Sequence, residues 1–116
     1  MRVVIVDNDQ DALDLLHLDL SLEGHDIVGT AMQGEPAVDV VRSAAPDVVV
    51  LDYRMPPGID GLEVARRLRR LAPDVRIVLY TNHVRDDLLR EAASLDVEYL
   101  RKGDLASLRR AVRSSR

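Results

Sequence analysis

Hydrophobic positions along this chain follow two rhythms. Short apolar runs, each closed by a polar residue, alternate with longer stretches in which apolar positions return every three or four residues. Val3-Val4-Ile5-Val6 runs into Asp7-Asn8-Asp9, Val48-Val49-Val50-Leu51 into Asp52, and Ile77-Val78-Leu79-Tyr80 into Thr81. A weaker run, Tyr99-Leu100-Arg101, ends on Lys102, the only lysine. Unbroken β-branched runs predict strands covered on both faces, the habit of parallel sheets.

Read in order, the pattern predicts strands at Arg2–Val6, Asp26–Ala31, Asp47–Leu51, Arg76–Tyr80 and Glu98–Arg101. Between and after them come helices from about Asp11 to Glu23, Glu35 to Ala45, Gly61 to Leu71, Val84 to Ser94, and Leu105 to Arg113. Asp9 or Asp11 is the expected cap of the first helix, whose Leu15, Leu18 and Leu22 share helical spacing, and Asp104 is the expected cap of the last. The second strand contains Gly29 and is the least apolar, which places it at a sheet edge. Arg66–Arg70 reads as a solvated helix face, His17 and His25 read as surface residues, and Ser114-Ser115-Arg116 reads as a frayed end.

Strict alternation of strand and helix predicts an α/β fold with helices on both faces of a parallel sheet. Five units suggest a flavodoxin-like, doubly wound (βα)5 domain with strand order 2-1-3-4-5. Ligands of such sheets bind beyond the carboxyl ends of the strands. This order makes strands one, three, four and five neighbours, so Asp7, Asp52, Thr81 and Lys102 converge. Clustered carboxylates suit a hard divalent cation, and an ammonium beside a hydroxyl suits a phosphoryl group. The convergence therefore points to phosphoryl chemistry.

Composition narrows the picture. A chain of 116 residues has the size of one domain. No cysteine is present, which excludes disulfides, thiolate metal sites and cysteine nucleophiles. The apolar runs fall far short of the roughly 20 residues that span a bilayer. Met1-Arg2 leads straight into a strand, so no signal peptide is expected, and a cytoplasmic location is the simplest expectation. A net charge of −4 argues against direct contact with nucleic acid. Fifteen arginines stand beside a single lysine; a compact ammonium at Lys102 does work that a planar guanidinium does poorly.

Taken together, Asp7-Asn8-Asp9, Asp52 followed by Met55-Pro56 and Asp60-Gly61, Thr81, and Lys102 after Tyr99 resemble the receiver domains of bacterial two-component response regulators. The resemblance spans the whole chain, in order. It implies that Asp52 accepts a phosphoryl group from a sensor histidine kinase or a phosphotransfer protein. It implies Mg²⁺ (or Mn²⁺) held by Asp7, Asn8, Asp52 and the main-chain carbonyl of Arg54, with Asp9 a further candidate. Lys102 and Thr81 would bind phosphoryl oxygens, and Tyr99 would turn inward as the switch engages. The face of helix four, strand five and helix five would then change shape and control an output domain, a transcriptional one by analogy, or form a homodimer through Arg85, Asp86, Asp87, Arg90, Arg109 and Arg110. No output domain is expected within residues 1–116. No catalysis beyond self-phosphorylation and self-dephosphorylation is expected.

Some positions depart from the family pattern. Asn8 replaces the second of two adjacent acids; its neutral carbonyl is a weaker ligand for a dication, so weak metal binding is expected unless Asp9 compensates. The loop after Asp52 is one residue longer. Arg54 and His83 occupy positions that tune phosphoryl lifetime, and Asn82 stands where a small residue is usual. Gly103 replaces a common proline, so a looser loop is expected there. Two other readings stay open: a degenerate receiver that acts by phosphorylation-independent protein binding, and a haloacid-dehalogenase-like phosphatase with Asp7 as nucleophile and Asp9 as acid/base.

Overall fold

The structure, a computed structural model, describes residues 1–114. Ten elements alternate without exception: β1 (Arg2–Val6), α1 (Gln10–Leu22), β2 (Asp26–Ala31), α2 (Gly34–Ala44), β3 (Val48–Leu51), α3 (Gly61–Leu71), β4 (Arg76–Thr81), α4 (Asp86–Ser94), β5 (Val97–Arg101) and α5 (Leu105–Arg113). The strands form one parallel sheet in the order β2-β1-β3-β4-β5. The expected (βα)5 architecture and edge position of β2 are therefore present. Of the segment expected to fray, Ser115 and Arg116 lie outside the described residues.

The continuous apolar runs have a simple cause. In β1, Val4 and Val6 face a core built with α2, α3 and α4, whereas Val3 and Ile5 face the core under α1 and α5. β3 divides the same way, with Val49 and Leu51 on one side and Val48 and Val50 on the other. Both faces are covered, so every buried position of β1 and β3 is apolar.

Several boundaries depart from the expected ones: β3 begins at Val48, α1 ends at Leu22 and α2 spans Gly34–Ala44. β4 extends to Thr81, α1 begins at Gln10, β5 begins at Val97, and α4 begins at Asp86, with the segment after Thr81 outside any helix. A larger correction concerns α1. Its buried leucines are Leu13, Leu16 and Leu20, while Leu15, Leu18 and Leu22 are 54%, 59% and 77% exposed. The two sets share one spacing, so the pattern of α1 alone does not choose between them. The choice is made by the partner surface, where Leu108, Ala111 and Val112 of α5 complete the same core cluster.

Helix ends are satisfied in two ways. At the amino ends, Asp9, Asp60 and Asp104 accept main-chain N–H bonds from Asp11, Glu63 and Ser107. At the carboxyl ends, arginines reach main-chain carbonyls: Arg2 bonds Ala44 at the end of α2, and Arg76 bonds Ala111 at 2.8 Å and Val112 at 2.7 Å in α5. Arg69 is not the solvated residue that its run suggested. It donates to the carbonyls of Val75 (2.6 Å), Leu95 (2.7 Å) and Asp96 (2.9 Å), tying α3 to the start of β4 and the end of α4. Arg66 and Arg67 pair with Glu63, and Arg66 also pairs with Glu91 of α4. His25 is likewise not a plain surface residue: it is half-buried, and its Nε2 is enclosed without a hydrogen-bond partner.

Candidate functional site

Three polar side chains are buried among the described residues: Asp7 (2% exposed), Asp52 (8%) and Thr81 (0%). All three stand at carboxyl ends of neighbouring strands. Their concentration in one place is informative, because burying charge without pairing is costly and a fold has no structural need for it there.

The parallel ladder fixes the main chain beneath them. The Asp7 amide donates to Ala31 O at 3.0 Å, the Asp52 amide to Val6 O at 3.0 Å, and the Lys102 amide to Thr81 O at 3.0 Å. Lys102 then folds its ammonium between two carboxylates, 2.7 Å from Asp7 Oδ2 and 3.0 Å from Asp52 Oδ2. Burial opposes its charge, but the bonds to Asp7 and Asp52 outweigh this, and Lys102 titrates above the ordinary lysine value. The remaining carboxylate oxygens are held by main chain: Asp7 Oδ1 accepts from the Asp9 amide (2.9 Å), and Asp52 Oδ1 from the Tyr53 amide (2.7 Å).

The turn after Asp52 is set by Gly61. Its amide donates to Tyr53 O at 2.7 Å, and a Cβ there would lie 2.2 Å from Asp52 O. Only a residue without a side chain lets α3 begin this close to the Asp52 main chain.

Thr81 Oγ1 accepts from the His83 amide at 3.2 Å, which leaves the hydroxyl proton available to another acceptor. The His83 ring meets Tyr53 edge-on, with centroids 5.9 Å apart. A cleft of 290 Å³ opens beside them and is lined by both Arg54 and His83, together with Arg85, which sequence reasoning had placed only on a dimer face. Tyr99 sits half-buried on β5; burial raises its hydroxyl above the ordinary tyrosine value, although the Arg85 main chain and guanidinium act in the opposite direction. Asn82 is exposed.

Asn8 is exposed in the turn between β1 and α1, and Asp9 Oδ1 accepts from the Asp11 amide at 3.0 Å as the α1 cap. Asp9 is therefore engaged elsewhere, and no group of three or more acidic, histidine or cysteine side chains is arranged to hold a metal among the described residues. The oxygen donors that the receiver resemblance assigns, two carboxylates with the Asn8 amide and the Arg54 carbonyl, would be hard-cation ligands of low total charge. They fit Mg²⁺ in kind and are sparing in charge.

The sequence matches the response regulator receiver domain over residues 3–113. The chain belongs to the response-regulator receiver family. Such receivers take phosphoryl groups from histidine kinases, and phosphorylation-based switching is their shared function. Among relatives, the response regulator MprA of Mycolicibacterium vanbaalenii is 39% identical over 105 residues, which is 88% of this chain and 44% of that protein. This receiver thus spans less than half the length of the curated relatives it matches.

Among solved structures, Thermotoga maritima TrrA in complex with Mg²⁺ and beryllium fluoride is 34% identical, with a TM-score of 0.84 over 96% of this chain and 95% of that one. The signal receiver domain of NarL from Mycobacterium tuberculosis is 30% identical, with a TM-score of 0.85 over 97% of each. Borrelia burgdorferi CheY, in its CheX complex with BeF3 and Mg²⁺, is 24% identical with a TM-score of 0.90 over 97% of this chain and 86% of that one, a likeness of fold. Family membership displaces the phosphatase reading, and Asp9 and Asp104 are both occupied as helix caps. No helix among the described residues is long and apolar enough to cross a membrane.

Proposed function

We propose that Asp52 is the phospho-acceptor of this receiver and that the chain works as a single switching domain over residues 1–116. The observation that carries this is the Lys102 ammonium bridging Asp52 and Asp7: the acceptor carboxylate is buried, oriented by the Tyr53 amide, and supplied with a cation that can move with the arriving charge.

A carboxylate oxygen of Asp52 attacks the phosphorus of a phosphohistidine on a sensor kinase or phosphotransfer protein. The bond from phosphorus to imidazole nitrogen breaks, and its electron pair returns to the imidazole. Asp52 then carries an acyl phosphate. Lys102 passes from Asp52 to a phosphoryl oxygen, and the Thr81 hydroxyl donates its free proton to another. A Mg²⁺ or Mn²⁺ ion would be held by Asp7, Asp52, Asn8 and the Arg54 carbonyl, weakly because Asn8 is neutral, and would supply charge to offset that of the phosphoryl group. Tyr99 follows Thr81 inward and reshapes the face of α4, β5 and α5. Arg54 and His83, facing one cleft, set how readily water reaches the acyl phosphate.

The output is a partner, or a domain lying elsewhere in a longer regulator. The chain has no direct nucleic-acid contact, no catalysis beyond its own phosphorylation and dephosphorylation, and a cytoplasmic location. A homodimer through the α4-β5-α5 face is compatible with the exposed Val84 and Leu89. Of its charged candidates, Arg85 pairs with Asp87 and Arg109 with Asp19 of α1.

The test is intact mass after incubation with Mg²⁺ and acetyl phosphate, beside an Asp52→Asn variant. Gain of one phosphoryl group by the native chain alone supports the reading. No gain, with a phosphohistidine donor also failing, supports the phosphorylation-independent alternative that Asn8 and the engaged Asp9 favour.

A further inference from the structure

Lys102 must hold its ammonium on two carboxylates from the first residue of the turn after β5, so its backbone needs anchors on both sides. The first is the ladder bond from its own amide to Thr81 O. The second comes from an unexpected place. The amide of Gly103 donates to the hydroxyl of Tyr80 at 2.8 Å, and Tyr80 lies on β4 directly before Thr81, 6% exposed, in the core under α1 and α5.

Gly103 turns the chain here with φ +96°, in the left-handed region that glycine enters freely. Beside it lies a small groove of 150 Å³, lined among others by Leu15, Leu16, Leu105 and Tyr80. The apolar side chains of that groove offer the Gly103 amide no acceptor, so its protein partner is one phenolic oxygen, while the Asp104 amide closes the same turn on Arg101 O at 3.3 Å.

We propose that Tyr80 is a positioning residue for phosphoryl transfer: through the Gly103 amide its hydroxyl fixes the loop that holds Lys102 against Asp7 and Asp52. The proposal rests on the role given to Lys102 above. It adds a reason why glycine serves after Lys102, since a proline would have no N–H to donate and could not reach this φ. It also places the two groups that follow the phosphoryl group, Thr81 and Lys102, on a common support, because Tyr80 and Thr81 are successive residues of one strand facing opposite sides.

Tyr80→Phe deletes only the hydroxyl, and the single lysine gives a labelled sample one ammonium signal. Loss of a net 0.5–1.5 kcal/mol from one hydrogen bond corresponds to about 2- to 12-fold more frequent loop opening. In the phosphate-free protein, Gly103 amide exchange and Lys102 ammonium exchange with water should both rise by that factor, while exchange at Leu108 in the α5 core stays constant. The limiting rate of Asp52 phosphorylation by acetyl phosphate should fall by a similar factor, with the half-saturating donor concentration unchanged. An unchanged Lys102 signal would overturn the proposal. So would faster Gly103 exchange with an unchanged phosphorylation rate, or a parallel rise at Leu108, each of which makes the bond merely structural. If the native chain takes no phosphoryl group at all, the reading of Asp52 fails, and the Lys102 signal in the phosphate-free protein still decides whether Tyr80 positions it.

Discussion

Replacing Asn8 with aspartate should tighten Mg²⁺ binding by about 10- to 30-fold. The resting site holds two carboxylates, Asp7 and Asp52, and one ammonium, Lys102, so its formal charge is −1; the substitution makes it −2. Asn8 is exposed, so the interaction belongs near the water limit, where two unit charges 4 Å apart interact by about 1 kcal/mol. A dication at that separation, as across one bridging water, doubles this to about 2 kcal/mol. Screening over a Debye length of about 10 Å at 0.1 M salt trims it by roughly a third. At about 1.4 kcal/mol per tenfold, the gain is about one decade with this screening and about one and a half decades in dilute buffer. Calorimetric Mg²⁺ titration of the metal-stripped native chain and the Asn8→Asp variant measures it directly. A dissociation constant within twofold of the native value would refute the reasoning, since it would mean that position 8 does not face the ion. Asp9→Asn is the companion: Asp9 is committed to the α1 cap, so this change should move Mg²⁺ affinity by less than threefold. A tenfold loss would show that Asp9 leaves its cap to serve as ligand.

Three further outcomes are expected. Lys102→Met leaves two buried carboxylates without their cation and should cost about 2–3 kcal/mol in urea unfolding without metal, part of it recovered on adding Mg²⁺; an unchanged midpoint would mean that the ion pairs contribute nothing. Because Lys102 titrates above its ordinary value, that contribution is complete below about pH 10.4 and fades as pH rises through the higher folded-state value. Arg69→Met should destabilise by about 2–4 kcal/mol, because it strips a guanidinium from the carbonyls of Val75, Leu95 and Asp96, while Arg70→Met, on the exposed side of α3, should change stability by less than about 0.5 kcal/mol; equal effects would refute the clamp. His25 is held below its ordinary value chiefly by burial, then by the nearby amino terminus, so the unfolded chain binds its proton first and stability should fall as pH drops below about 6.5; His25→Gln should flatten that slope, and an unaltered slope would exclude His25 as its source.

What could be read from the chain, and what could not, divides along physical lines. Asp52, Thr81 and Lys102 were legible because a buried parallel strand has no reason to end on a carboxylate, and alternation of strand and helix dictates which ends meet. Lys102 bridging Asp7 as well as Asp52 was not legible, since it depends on where the last few side-chain torsions of lysine come to rest. Nor was the inward face of α1, which carries two leucine stripes of identical spacing. Arg69 was misread because its partners are main-chain carbonyls, of Val75 just beyond α3 and of Leu95 and Asp96 at the end of α4, and no residue type announces those. Tyr80 failed for the same reason: its partner is the amide of a glycine twenty-three residues away, and a tyrosine in an apolar run reads as core.

These misreadings point to a division of labour between the two ends of the sheet. The helices run opposite to the strands, so the amino ends of the strands face helix carboxyl ends, where orphan carbonyls collect. Arg2, Arg69 and Arg76 bond those carbonyls from the start of β1, from α3 and from the start of β4. That end is tied by charge-assisted bonds between fixed partners. At the other end the buried polar groups are held by partners that can change: Lys102 has two carboxylates to choose between, and Thr81 keeps an uncommitted proton. A switch needs both conditions. On the mechanism proposed above, an arriving phosphoryl group would redistribute Lys102 and Thr81 only if the strands beneath them stay in register, and the arginine clamps tie that end of the sheet. Part of the arginine richness of the chain is therefore structural, and on the proposed mechanism the lone lysine sits where a cation has to move.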